Sequence, residues 1–177
     1  MSKKYELTDE CKSVSGVKLF RIRALKEIAR FSVKIGDLGG WIEKEDNLSH
    51  RGDAWVSDSA WVCGDSKVFG DSKISGDTRV FGGAWICGDA KISNNADYMV
   101  FKNSWSSGRY FTFTRSNKKW KVGCFYGTGE ELIKKAYADS ELSGRCYEAV
   151  VKAVEQIEAA KAELMQQGQN KQGGRND

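Results

Sequence analysis

The sequence predicts a mainly β fold with C-terminal helices, and three observations lead to it. From Gly52 to about Ala96 the chain repeats every six residues, as GDAWVS, DSAWVC, GDSKVF, GDSKIS, GDTRVF, GGAWIC and GDAKIS, closing on NNADYM. Short segments on both sides of the repeat carry the aromatic and β-branched residues of strands. Beyond Thr128, apolar residues recur at helical spacing instead. A short fixed period marks a solenoid, whose units bury their apolar residue only by stacking on neighbours.

The segments follow in order. Residues 1–37 form an N-terminal β region or cap: Ser15-Gly16 is a turn signal, and Lys18 to Arg23 partly alternates apolar and basic residues. Leu25 to Arg30 suits a short helical turn, and Gly36-Asp37-Leu38-Gly39-Gly40-Trp41-Ile42-Glu43 leads into the repeats. Residues 38–97 are the repeat region. Residues 98–166 form an α+β region with strands at Tyr98–Phe101, Arg109–Arg115 and Trp120–Phe125, and with a hairpin turn at Ser116–Lys119. Thr128 and Glu131 have capping-box spacing for a first helix, and Ser143 is the expected cap of a second, striped by Tyr147, Val150, Val154, Ile157 and Leu164. The polar tail, residues 167–177, is expected to be disordered.

Bulk composition excludes several classes. The 177 residues are 40% hydrophobic and 29% charged, as in an ordinary globular protein. No run has the roughly 20 apolar residues of a membrane helix. Met1 to Glu10 is too polar for a secretory signal. The five cysteines form no CxxC pair, which points to a reduced, cytoplasmic setting. With one histidine and no ligand spacing, neither metal nor cofactor is expected. A formal charge of +4 does not indicate specific nucleic-acid binding.

Within the repeat, Val56, Val62, Val68, Ile74, Val80, Ile86 and Ile92 are the aliphatic positions, with small residues such as Ala60, Ser66, Thr78, Ala84 and Ala90 four places on. Strand alternation turns each aliphatic residue inward and its two neighbours outward. This pattern resembles the hexapeptide-repeat family. The resemblance implies a left-handed parallel β-helix of triangular section with coils of about 18 residues, of which this chain holds only about two and a half. Residues 18 apart then share a face. The first face carries Ser57, Ser75 and Ser93 beside Trp55, Lys73 and Lys91, and is expected to be solvated. The second carries Cys63 and Phe81 beside Trp61 and Arg79, and the third Phe69 and Cys87 beside Lys67 and Trp85.

Two faces are thus more apolar than exposure favours. One reading has flanking segments or another subunit covering them. The other makes Trp61, Arg79, Trp85, Lys67, Phe69 and Phe81 a ligand- or partner-binding set, with aromatic and cationic groups suited to bases or sugars.

Family likeness also raises the question of catalysis. Many hexapeptide-repeat proteins are acyltransferases with a histidine base. Only His50 could serve here, and a lone histidine at the start of the repeats favours a structural role. Cys124 lacks a histidine partner and reads as a buried strand cysteine, and Glu130 and Glu131 would repel an anion from Gly127-Thr128-Gly129. Alternation in Arg109–Arg115 reads as a core face with Phe111 and Phe113.

The whole layout is similar to a group of uncharacterised phage and prophage proteins. The segments that carry this are Tyr5-Glu6-Leu7-Thr8, Leu19 to Leu25, Gly36 to Glu43, Asn47-Leu48-Ser49, the hexapeptides, and Val122 to Thr128 before two helices. The resemblance implies phage origin and carries over no catalytic residue. The expected function is a non-enzymatic binding protein of the host bacterial cytoplasm, a counter-defence or host-modulating factor that blocks a host protein or sequesters a nucleotide signal. The alternatives are an acyltransferase-like enzyme and a structural or assembly module. Exposed Trp and Phe side chains and the apolar helix stripe predict a homo-oligomer.

Overall fold

A computed structural model of the chain describes residues 2–172, with side chains described through residue 166. It forms two compact units, Met1–Thr128 and Gly129–Asp177. The first is built of mixed and antiparallel sheets and the second of two helices.

Strands β1 (Tyr5–Val14) and β2 (Val17–Ala24) form an antiparallel hairpin. Ser15 and Gly16 turn it with φ of 51° and 82°, the left-handed pair that matches strand twist in a two-residue turn. β2 then pairs antiparallel with β3 (Leu38–Ile42). The loop between them contains a 3-10 turn, Ala29–Phe31, which is shorter than the helical turn expected from Leu25 to Arg30.

The hexapeptides give two-residue strands: β4 (Trp55–Val56), β5 (Trp61–Val62), β6 (Lys67–Val68), β7 (Lys73–Ile74), β8 (Arg79–Val80), β9 (Trp85–Ile86) and β10 (Lys91–Ile92). They pair in parallel with partners 18 residues away, as Trp55 with Lys73, Trp61 with Arg79 and Lys67 with Trp85. The short strands fall in three sheets, ordered β4-β7-β10, β1-β2-β3-β5-β8 and β6-β9. Every third unit returns to the same sheet.

The first rung is longer. Trp41 pairs with Trp61 and Leu48 bridges to Val68, both 20 residues apart. The extra two residues fall in the corner between Leu48 and Trp55, which carries His50 and Arg51. The inward side chains Ile42, Leu48, Val56, Val62, Val68, Ile74, Val80, Ile86 and Ile92 are all buried, as are the small residues between them. Each apolar group is removed from water by the rungs beside it and by flanking residues of the same core, among them Tyr5, Ile22, Tyr98 and Val100.

Within each parallel strand pair the bonds run both ways, but the bonds between rungs that involve a corner residue all run one way. Trp55 donates its N–H to the Ser72 carbonyl at 3.0 Å, and Lys73 donates to Ala90 at 2.8 Å. This direction leaves carbonyls open at the first rung and N–H groups open at the last. The start is closed by donors. Tyr5 Oη–H reaches the carbonyls of Leu48 (2.7 Å) and Glu45 (3.0 Å), and Lys4 Nζ reaches those of Ala54 (2.6 Å) and Gly52 (3.2 Å). The end is closed by acceptors. Arg79 N–H donates to Asn95 Oδ1 (2.7 Å), Trp85 N–H to Thr112 Oγ1 (3.0 Å) and Lys91 N–H to Ser116 Oγ (2.8 Å). Edge groups that would otherwise recruit another strand are satisfied by side chains.

The face expected to be solvated is covered at Trp55, half-buried at Ser57, Lys73 and Ser75, and exposed at Lys91 and Ser93. Trp55 is only 1% exposed and shares a core with Ile28 and Val33 of the β2–β3 loop. Phe31 lies 5.5 Å from Lys73 Nζ, and Arg30 pairs with Asp71 at 3.3 Å. Alternation does turn Trp55 away from the stack, but the loop lays apolar residues over it.

After the repeats, β11 (Tyr98–Lys102), β12 (Tyr110–Thr114), β13 (Lys119–Val122) and β14 (Phe125–Gly127) form an antiparallel sheet in chain order. The strand expected over Trp120–Phe125 is two strands, because Gly123, at φ 52°, turns the chain. Phe101, Phe111, Phe113 and Trp120 form an aromatic cluster with centroids 5.1–6.0 Å apart. Phe111 and Phe113 are thus a core face.

In the second unit, α1 (Gly129–Asp139) and α2 (Glu141–Gln172) bury Leu132, Ala136, Tyr147, Val151 and Val154. Ser140, not Ser143, caps α2: Ser140 Oγ accepts the Ser143 N–H at 3.1 Å, and the helix has already begun at Glu141. Ile157 and Leu164, further along the stripe, are exposed. α2 continues past Gln166, where disorder was expected; residues 173–177 of that tail lie outside the described residues. Among the described residues no helix is long and apolar enough to cross a membrane.

Candidate functional site

The sequence-predicted residues fall into two clusters on two different sheets. On the β1-β2-β3-β5-β8 sheet, Trp61 stacks on Phe81 with centroids 6.1 Å apart and an interplanar angle of 25°, and Arg79 is the strand neighbour of Trp61. Phe81 stays 53% exposed. Part of this sheet is covered. Cys63 packs with Leu19 and Trp41, and the Trp41 ring meets Lys12 Nζ at 4.3 Å and the Arg21 guanidinium at 5.1 Å. Tyr98 Oη–H donates to the Arg79 carbonyl at 2.6 Å.

The β6-β9 sheet brings Lys67, Phe69 and Trp85 together. Phe69 meets Trp85 edge-on at 6.2 Å, and Lys67 Nζ lies 5.7 Å from the Trp85 ring. The β12–β14 hairpins add groups that the sequence reading passed over. Lys121 Nζ stands 5.8 Å from Phe69 and 5.6 Å from Trp85, and donates to the Gly123 carbonyl at 2.5 Å. Beyond Trp85, a cleft of about 380 Å³ is lined by Asp65, Gly83, Trp85, Arg109, Tyr110 and Gly123.

Departures in the repeat mark these contacts. Gly82-Gly83 stands where five of the units have Gly-Asp. A Cβ on Gly83 would lie 2.6 Å from Tyr110 Cδ2, and its φ is 76°. At Gly88 a Cβ would collide with the Tyr126 hydroxyl. Residue 83 is glycine because a ring from a distant strand occupies the space of its side chain. The missing aspartate was the available signal.

Burial sets the chemistry of the thiols and phenols. It pushes the Cys87 thiol up to about 11, against the pull of the Lys121 charge, and raises Cys63 as well. Burial, with Cys87 and Asp89 nearby, lifts Tyr126 to about 12. These thiols are held in the unreactive form at neutral pH.

His50 is fixed in place. Its Nδ1 accepts the Lys4 N–H at 3.2 Å, its ring stacks on buried Tyr5 at 4.3 Å, and its Nε2 lies 3.7 Å from Glu45 Oε2. Cys124 is exposed in the β13–β14 turn rather than buried in a strand, as the sequence reading had favoured. Among the described residues no group of His, Cys, Asp or Glu is disposed to hold a metal ion. No protein-family model matches the chain, and no curated protein matches it at a significant level.

Proposed function

We propose that the chain is a non-enzymatic binding protein of phage origin, a counter-defence or host-modulating factor that works in the host cytoplasm by engagement. It would block a host protein or sequester a nucleotide signal. One observation carries this: aromatic rings and cations sit together at the surface of a scaffold whose own core is complete. Trp61, Arg79 and Phe81 form one such group, and Lys67, Phe69, Trp85 and Lys121 the other. Fixed rings lose little conformational freedom when a ligand arrives.

In the same reading the scaffold is a short left-handed parallel β-helix. Returns at 18 residues on three sheets support the triangular turn, and the hand follows from likeness to hexapeptide-repeat proteins. Exposure of Phe81, Ile157 and Leu164 supports self-association, which light scattering at micromolar concentration would register as a mass above 19.7 kDa.

The test is capture by the tagged chain from host lysate, with mass spectrometry of both proteins and small molecules. A specific partner is expected, and Trp61→Ala or Trp85→Ala should release it without lowering the free energy of urea unfolding by more than about 1 kcal/mol. If both variants keep every captured molecule and alter only the oligomeric mass, the binding reading fails.

A further inference from the structure

We propose that the cleft between Trp85 and Tyr110 is a nucleotide seat, taking a flat heteroaromatic base against the two rings and phosphate oxygens on Arg109. The proposal rests on the binding-protein reading and gives it a place and a ligand class. The volume of about 380 Å³ lies within the roughly 300–1,000 Å³ of small-molecule pockets.

Both rings are preset. Tyr110 is 49% exposed, with its ring against Gly83, where no side chain can intrude. Trp85 is held by its amide on Thr112 and by Phe69 at its edge. A base can stack on either face without sequence-specific hydrogen bonds, which suits ring recognition.

Charge distinguishes a nucleotide from a neutral sugar. The Arg109 guanidinium makes no hydrogen bond or ion pair among the described residues, although it lines the cleft. A guanidinium presents a fork of donors that matches phosphate oxygens. Lys121 and Lys67 do not line the cleft but lie against the Trp85 ring, and add positive charge next to it. The single carboxylate, Asp65, has Lys44 at 3.8 Å. A neutral sugar would leave the guanidinium unmatched. An extended nucleic-acid strand would need a longer basic track than one guanidinium in one cleft.

The experiment is isothermal titration of the full chain with each of the four ribonucleoside 5′-diphosphates, with the parent nucleosides and with inorganic phosphate. At least one diphosphate should bind, with its nucleoside and phosphate each about tenfold weaker or more. Arg109→Ala, an exposed change that should leave the urea midpoint in place, should weaken that diphosphate about tenfold, and Arg109→Lys should restore part of the loss. Diphosphate binding that survives Arg109→Ala overturns the seat and leaves the binding-protein reading standing. The same holds if no diphosphate binds at millimolar concentration while a host protein is captured. If neither a nucleotide nor a host partner binds, both fall.

Discussion

Asn47 shows how much one polar side chain can fix. It is fully buried, donates through Nδ2 to the carbonyls of Gly64 (3.0 Å) and Ser66 (2.9 Å), and accepts the Lys44 N–H at Oδ1 (3.0 Å). Asn47→Ala leaves those groups without partners in the interior, so a loss of about 1–3 kcal/mol is expected in urea unfolding. Cys87 gives a pH signature. Its folded pKa of about 11 exceeds the ordinary 9, so the native state binds the proton more tightly. That contribution is complete below pH 9 and is lost as pH rises through about 11. Cys87→Ala should therefore flatten the fall of stability between pH 9 and 11, whatever constant cost its cavity adds. Unfolding midpoints across that range provide the check. A slope unchanged from the wild type would show that the thiol is not differentially protonated.

At the scale of elements, the caps invite direct measurement. Thr112→Val and Ser116→Ala each remove one acceptor from a last-rung amide. Each should cost about 1 kcal/mol, and hydrogen exchange should speed up at Trp85 in the first variant and at Lys91 in the second. Restoring the repeat consensus should harm the fold. Gly83→Asp places a Cβ into Tyr110 at a φ of 76°, at a cost of about 1–3 kcal/mol, and Tyr110→Ala should recover part of it in a double-mutant cycle. Elements differ in how far their sequences reveal them. Inward aliphatics from Val56 to Ile92 were legible because strand alternation and the period of six agree. The cover over Trp55 was not, since Ile28 and Val33 come from a loop whose local pattern says nothing about its destination. Arg109 and Tyr110 were read only by the two-residue alternation of their own strand. Their partner Gly83 lies in another sheet, and only its departure from the repeat hinted at the contact.

For the whole molecule, the direction of the corner hydrogen bonds has a consequence for assembly. At its corners the stack begins with open carbonyls and ends with open amides, and the segments flanking it supply donors at one end and acceptors at the other. Stripped of both flanks, the two ends would be complementary to each other. A fragment of residues 38–97 would therefore join head to tail, a heterologous contact that does not close on itself and that generates filaments. Such a fragment should form fibres visible by electron microscopy and bind thioflavin T, whereas the full chain should not. A fragment that stays monomeric would show that the caps are not what prevents growth. The N-terminal hairpin and the four-stranded sheet thus act as chain terminators: they keep a potentially endless polymer to a single protein molecule.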